Sequence, residues 1–407
     1  MKSCLLMDLC TWKGHHEIYF KKILLSLTKS GFFVYASCEN NPALNQWLQE
    51  LNLQNCHVLE AKLSLIDKLF FKILSIIDNI CSNLSPKTTF RFSSIVHLLF
   101  TKNLLQQIGQ EIPVFFAHGD SAIPSIPLWV ARLLLPSKWV ALSIQPSYQS
   151  AIAFGKLKSR QRFVAEKLFS LNSCKAVLYL HPVYTKFFKT RFQENKFFVL
   201  PEIVDVNVSE HSEIADKVQH LASGRKIISI TGALLPKRNL QLFLKSVQQL
   251  NPDEYFILIV GHLPQECYSS EELKIIQELS FKLSENSYIR CDYYIPNEEK
   301  FNELLKISDI IYLQYQKHSS SSNLLSKCIK LRKPVIVGNG YVMQKVVNAY
   351  NWQAIVSEEP DKIVEAIIRL AHHFKIDEVK YQQFLIDYAE EKFNLAIEQA
   401  IKMINEN

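Results

Sequence analysis

KIISITGALLPKRNLQLFLKSVQQLNPDEYFILIV, residues 226–260, decides the fold. Two short apolar runs, KIISITG and YFILIVGH, flank a helical pattern, NLQLFLKSVQQL. A crossover helix returns the chain in its original direction, so the two strands are expected to be parallel. Downstream the alternation continues as helix SSEELKIIQELSFKL, strand YIRCDYY, helix EEKFNELLKIS, strand DIIYLQY, helix SSNLLSKCIKLR and strand PVIVGN. Strands alternating with helices of this length predict a doubly wound α/β domain.

Upstream, the polar, helix-prone stretch DVNVSEHSEIADKVQHLASGRK (205–226) separates this series from an earlier one. The chain opens with strand SCLLMDL, loop TWKGHH, helix EIYFKKILLSLTKSG and strand FFVYASC, with Gly31 placed to cap the helix. Further strands are expected near residues 56, 113, 139, 176 and 197, and apolar helices between about 63 and 108. The tail after 377 predicts helix again. We therefore expect two doubly wound Rossmann-like domains facing a central cleft, at 1–205 and 206–377, with the C-terminal helical segment 378–407 returning to the first.

Composition fits this size. A chain of 407 residues, 48% hydrophobic with 10 Gly and 15 Pro, exceeds one growing core and leaves little room for disorder. Nine scattered cysteines, none in a C-x-x-C pair, indicate neither a disulfide framework nor a zinc site. MKSCLLMDLCTWKGHH is too short in its apolar run for a signal peptide, and later apolar runs are interrupted before membrane-spanning length. The expected location is cytoplasmic. Residues 1–200 hold 23 Lys+Arg against 11 Asp+Glu and residues 201–407 hold 23 against 28, so only the first half invites an anionic partner. Nucleic acid is not expected, because no Arg- or Lys-rich aromatic module appears.

Local sequence narrows the picture. ITGALLPKRNLQLFL, ILIVG, DYYIPNEEKFNELLKISDIIYLQ and KLRKPVIVGN, spread from Ile228 to Val337, resemble the retaining, family-4-like glycosyltransferases of GT-B fold, as does VLPEIVD at the interdomain joint. The resemblance implies sugar transfer from a nucleoside-diphosphate sugar, with a hexosyltransferase-like, retaining and metal-independent course and no tightly bound cofactor.

Carried over residue by residue, it marks Gly232, Lys237 and Arg238 as the phosphate loop, with Ala233 where the family has an arginine. The Lys-Arg pair also fits a solvated turn. In HSSSSNLLSKCIKLRKPVIV the family's two glutamates, with seven residues between them, are replaced by Ser319 and Lys327. Ser321, Ser322 and Asn323 remain at a helix N-terminus, where exposed amides favour phosphate, although a serine run also simply caps a helix. In the first domain Gly14 and His15, followed by His16, resemble the glycine-rich loop facing the reacting sugar. His118 and Asp120 resemble the acceptor-side loop, and Gln145 stands where the family often has a histidine. Each histidine also fits a hydrogen-bonded structural role, His16 most of all. These histidines lack carboxylate or Cys partners at ligand spacing, so no metal site is expected.

The expected function is glycosyl transfer to an unidentified acceptor, glycan or lipid-linked, in polysaccharide or glycolipid synthesis. The alternative is a non-catalytic binding or partner subunit of the same fold. Cations and apolar residues across 62–108, joined by GKLKSRQRFVAEKL, fit peripheral contact with an anionic membrane at its inner face, and the apolar helices equally fit burial on their own sheet, the commoner fate in an α/β domain.

Overall fold

The computed structural model describes residues 2–9, 15–60, 69, 72–73, 76–77, 95–122, 128–144, 166–192, 194–209, 212–295, 297–316, 322–339, 342–352, 355–356 and 358–405. They divide into two compact units, residues 1–203 with 389–407 and residues 204–388.

The first unit holds strands β1 (Lys2–Asp8), β2 (Phe32–Cys38), β3 (Cys56–Val58), β4 (Val114–Phe116), β5 (Trp139–Ser143), β6 (Cys174–Tyr179) and β7 (Phe197–Val199). They form one sheet in the order β3-β2-β1-β4-β5-β6-β7, every pair parallel. The register sets Asp8 beside Cys38 and Met7 beside Phe116. Strand order reverses between β1 and β4, the switch point at which open α/β sheets bind their ligands. Helix α1 (His15–Lys29) follows β1 and buries Tyr19, Phe20, Ile23, Leu24 and Leu27 on the sheet. Helix α2 (Ile95–Ile108) precedes β4 and buries Leu98 and Leu104.

The second unit repeats the plan with β8 (Lys226–Thr231), β9 (Tyr255–Val260), β10 (Tyr288–Cys291), β11 (Ile310–Leu313), β12 (Val335–Gly338) and β13 (Ile355–Val356), in the order β10-β9-β8-β11-β12-β13. All of its pairs are parallel. All six residues of β9 are buried, as a strand covered on both faces requires. Here the order reverses between β8 and β11. Helices α3 (Leu240–Val247), α4 (Glu298–Ile307) and α5 (Asn323–Lys330) follow β8, β10 and β11. Strand β13, two residues long, gives no sequence pattern and was not expected.

The C-terminal helices part company. Helix α6 (Glu378–Asp387) packs Tyr381 and Phe384 into the second unit's core around Trp352. Helix α7 (Glu390–Asn405) buries Phe393, Ile397, Ala400 and Ile401 in the core of the first sheet. Ser26 Oγ and Lys22 Nζ on α1 bond to Asn394 and Glu390 of α7. The chain thus passes from the second unit to the first between Tyr388 and Ala389, not at 377. The reason is the apolar stripe of α7, which completes the cover on the first sheet.

Candidate donor site and a histidine cluster

The carboxyl ends of β8 and β11 carry the second unit's candidate site. Gly232 follows β8 with φ +93°, a conformation glycine adopts without strain. A Cβ there would lie 2.8 Å from Arg238 Nη2, so the missing side chain admits the guanidinium. Gly261, after β9, has φ +144°, and a Cβ on it would meet the Gly232 carbonyl oxygen at 1.9 Å. The two glycines let neighbouring strand ends approach backbone to backbone.

Pro236–Arg238 forms a 3-10 turn, closed by Asn239 at φ +54° before α3 begins. The N–H of Gln316 donates to the carbonyl of Lys237 at 2.6 Å, tying the loop after β11 to this turn. The Arg238 guanidinium lies over the Tyr315 ring, 4.3 Å from its centroid. Such stacking leaves guanidinium edges for in-plane donation. Arg238 Nη1 is buried and has no hydrogen-bond partner among the described residues. Thr231 Oγ1, closing β8, and Gln314 Nε2, just after β11, are in the same condition. Buried polar atoms are ordinarily paired, so three at adjacent strand ends indicate a place for a polar ligand. Desolvation, then the positive charge of Arg238, holds the Lys237 ammonium below its ordinary pKa. An anion here would relieve that repulsion.

Ser322 caps α5 without a side-chain cap bond, and its hydroxyl lies 3.3 Å from the Tyr315 hydroxyl. Asn323 is the first residue of α5. Ser319 and Ser321, with His318, lie outside the described residues. Lys327 is buried, and its ammonium bonds to Glu298 and, at 2.8 Å, to Asn302 Oδ1 on α4. Asn302 Nδ2 in turn donates to the carbonyls of Asp205 and Asn207 in the joint. Lys327, which the sequence resemblance sets at the place of a carboxylate, is thus a cation acting as a strut between α5, α4 and the segment at Asp205–Asn207.

In the first unit the switch point carries a cluster that spacing alone does not show. Asp8 ends β1, and its Oδ2 lies 2.8 Å from His16 Nδ1 in the first turn of α1, both side chains buried. The His118 ring, beyond β4, is 4.1 Å from the His16 ring. Asp120 Oδ1 accepts from Ser143 Oγ at 2.5 Å. Burial lowers the pKa of His118 against the opposing pull of Asp120, and burial likewise lowers that of His97 on α2, which Asp8 partly offsets. Burial thus favours the neutral imidazole at both positions. His15 opens α1, but its side chain, Gly14 and Gln145 lie outside the described residues.

Sequence reading missed Asp8, His97, Tyr315, Gln314 and Gly261 and ranked His16 low. A carboxylate ending an otherwise apolar strand was the available signal for Asp8. His97 in SSIVHLLF gave none. Among the described residues no group of three or more His, Cys, Asp and Glu is arranged to hold a metal.

Comparison with known proteins fits this geometry. Residues 212–392 match the family model of glycosyl transferases group 1. Among solved structures, HepE of Anabaena in complex with UDP superposes with TM-score 0.67 at 11% identity, over 99% of this chain and 100% of that one. WaaG, a glycosyltransferase involved in lipopolysaccharide biosynthesis, gives TM-score 0.63 at 11% identity over 100% of both chains. A glycosyltransferase from Rickettsia africae gives 0.64 at 13%, over 100% of this chain and 99% of that one. No curated protein matches in sequence. Residues 212–392 thus match the glycosyl transferases group 1 model, and the chain shares the two-domain GT-B fold of these solved structures.

Proposed function

We propose that the second unit binds a nucleoside-diphosphate sugar and that the chain transfers its sugar to a hydroxyl acceptor held by the basic first unit. The carrying observation is Arg238, stacked on Tyr315 beside Gly232 with a buried Nη1 that has no partner among the described residues. A diphosphate oxygen satisfies that donor, and Lys237 and the α5 amides add charge and N–H groups. HepE was solved with UDP and with UDP-glucose, which supports a uridine donor. The family-4 resemblance supports a hexosyl donor and retention of configuration. These cations stabilise the leaving diphosphate electrostatically. Donor hydrolysis against a panel of nucleotide sugars tests the reading; no turnover with any of them would overturn it.

A second reading, a non-catalytic binding subunit, draws on Lys327. The position that carries a glutamate in the family is locked into a structural ion pair here. Donor affinity without turnover would favour it.

For the acceptor we infer a lipid-linked or membrane-proximal glycan. Leu69, Ile73, Ile76 and Ile77 are helical and exposed, Leu69 at 61%, and Lys72 beside them is exposed. Apolar side chains at this spacing with an adjacent cation suit a headgroup layer. No helix among the described residues is long and apolar enough to cross a membrane.

A further inference from the structure

We infer that Tyr315 is a positioning residue of the donor site, an assignment that rests on the donor reading above. With Gly232 it forms a seat for a flat guanidinium, and this seat sets how Arg238 meets the diphosphate. Position 238 then requires a guanidinium, and an ammonium does not replace it.

Two consecutive residues beyond β11 grip the Pro236–Arg238 turn. Gln316 holds its backbone, donating its N–H to the Lys237 carbonyl at 2.6 Å, while the Arg238 N–H donates to the Leu235 carbonyl at 2.8 Å. Tyr315 holds its side chain, with Arg238 Cζ 4.3 Å from the ring centroid. Gly232 bounds the same group: a Cβ there would lie 2.8 Å from Nη2 and 3.6 Å from Cζ, so any side chain at 232 would enter the space the guanidinium fills. The Tyr315 ring is buried, and its hydroxyl lies 3.3 Å from that of Ser322, the N-cap of α5. The ring thus moves only with the helix end, which fixes the seat before a ligand arrives. Desolvation holds the Tyr315 phenol above its ordinary pKa against the opposing pull of Arg238, so the cation rests on a neutral ring.

A guanidinium suits this seat because it is planar, stacks on an aromatic face and keeps donors at its edge. Nη1 is the donor left over, buried and without a partner among the described residues. An ammonium is a compact point charge, which cannot lie flat on the ring and present a separate edge donor at the same time.

Calorimetric titration of UDP and GDP into single and double variants provides the test. Arg238→Lys should lose about 10-fold or more in affinity, as much as Arg238→Ala, because charge alone does not fill the seat. Tyr315→Leu should weaken binding by about 10-fold, and Tyr315→Phe, which keeps the ring, should retain most of what Tyr315→Leu loses. In the Arg238→Ala background Tyr315→Leu should cost little more, whereas a merely structural tyrosine would cost the same factor again. Added methylguanidinium should restore affinity to Arg238→Ala and not to the double variant. Should Tyr315→Leu fail to fold, Arg238→Lys and the methylguanidinium rescue of Arg238→Ala decide alone. Native affinity in Arg238→Lys, additive losses, or no rescue by methylguanidinium overturns the assignment and leaves the donor reading intact. A native protein that binds neither nucleotide overturns both.

Discussion

The ammonium of Lys327 is bonded to Asn302 Oδ1 at 2.8 Å, within a pair with Glu298 that joins α5 to α4. Removing one partner of a buried pair leaves the other group without compensation, and the half-exposed Glu298 tempers that cost. Lys327→Ala should lower stability by about 1–3 kcal/mol. Restoring the family's residue, Lys327→Glu, sets carboxylate against carboxylate and should destabilise further without improving UDP affinity. Adding Glu298→Lys should recover stability. Denaturant unfolding of the three variants measures this, and a stable Lys327→Glu that gains UDP affinity would contradict it.

Gly261 is the steric test of the phosphate loop. With a Cβ 1.9 Å from the Gly232 carbonyl oxygen and φ at +144°, Gly261→Ala must displace the end of β8. It should cost about 3 kcal/mol and abolish UDP binding. Gly31→Ala is the control, because φ is +82° there but nothing stands within 4 Å. That change should cost about 1 kcal/mol and leave UDP binding alone.

Acid should weaken the first unit. Burial lowers the folded pKa of His97 and His118 below the ordinary 6.5, so the unfolded chain binds more protons in the window beneath that value. Stability then rises with pH through the window and is lost as pH falls through it. Thermal melts from pH 7.5 to 5 should show the native melting temperature falling more steeply than that of His97→Gln with His118→Gln. Parallel slopes would show that these imidazoles do not titrate as their burial requires.

Vesicle cosedimentation examines the exposed apolar residues. The native protein should bind anionic vesicles at low salt and lose them at high salt, with Leu69→Ser and Ile76→Ser binding less. No binding at low salt would leave a soluble acceptor.

The strand-helix alternation was legible because parallel strands buried on both faces write continuous apolar runs, as in YFILIV, and helices write a different period. The return of α7 to the first unit was legible in outline, but its starting point was not. Helices α6 and α7 carry the same kind of apolar stripe, and only tertiary packing sorts Phe384 from Phe393. At the candidate donor site Gly232 and Arg238 were picked out through the family resemblance, and the structure sets them side by side. Tyr315 was not picked out, since a tyrosine after an apolar strand looks like core until a guanidinium is found on its ring. The Asp8–His16 pair joins two residues across a strand-helix loop, and no local pattern records which way either side chain turns. Lys327 shows the converse, a motif position whose side chain the fold has put to another use.

Calorimetric titration of UDP, with GDP in parallel, tests the central claim that Arg238 and Lys237 hold the donor diphosphate. The native protein should bind at least one nucleotide, and Lys237→Ala with Arg238→Ala should weaken it by about 1.5–3 kcal/mol, roughly 10- to 100-fold in affinity. Binding of equal strength in native and variant proteins, or no binding of either nucleotide to the native chain, would contradict the account.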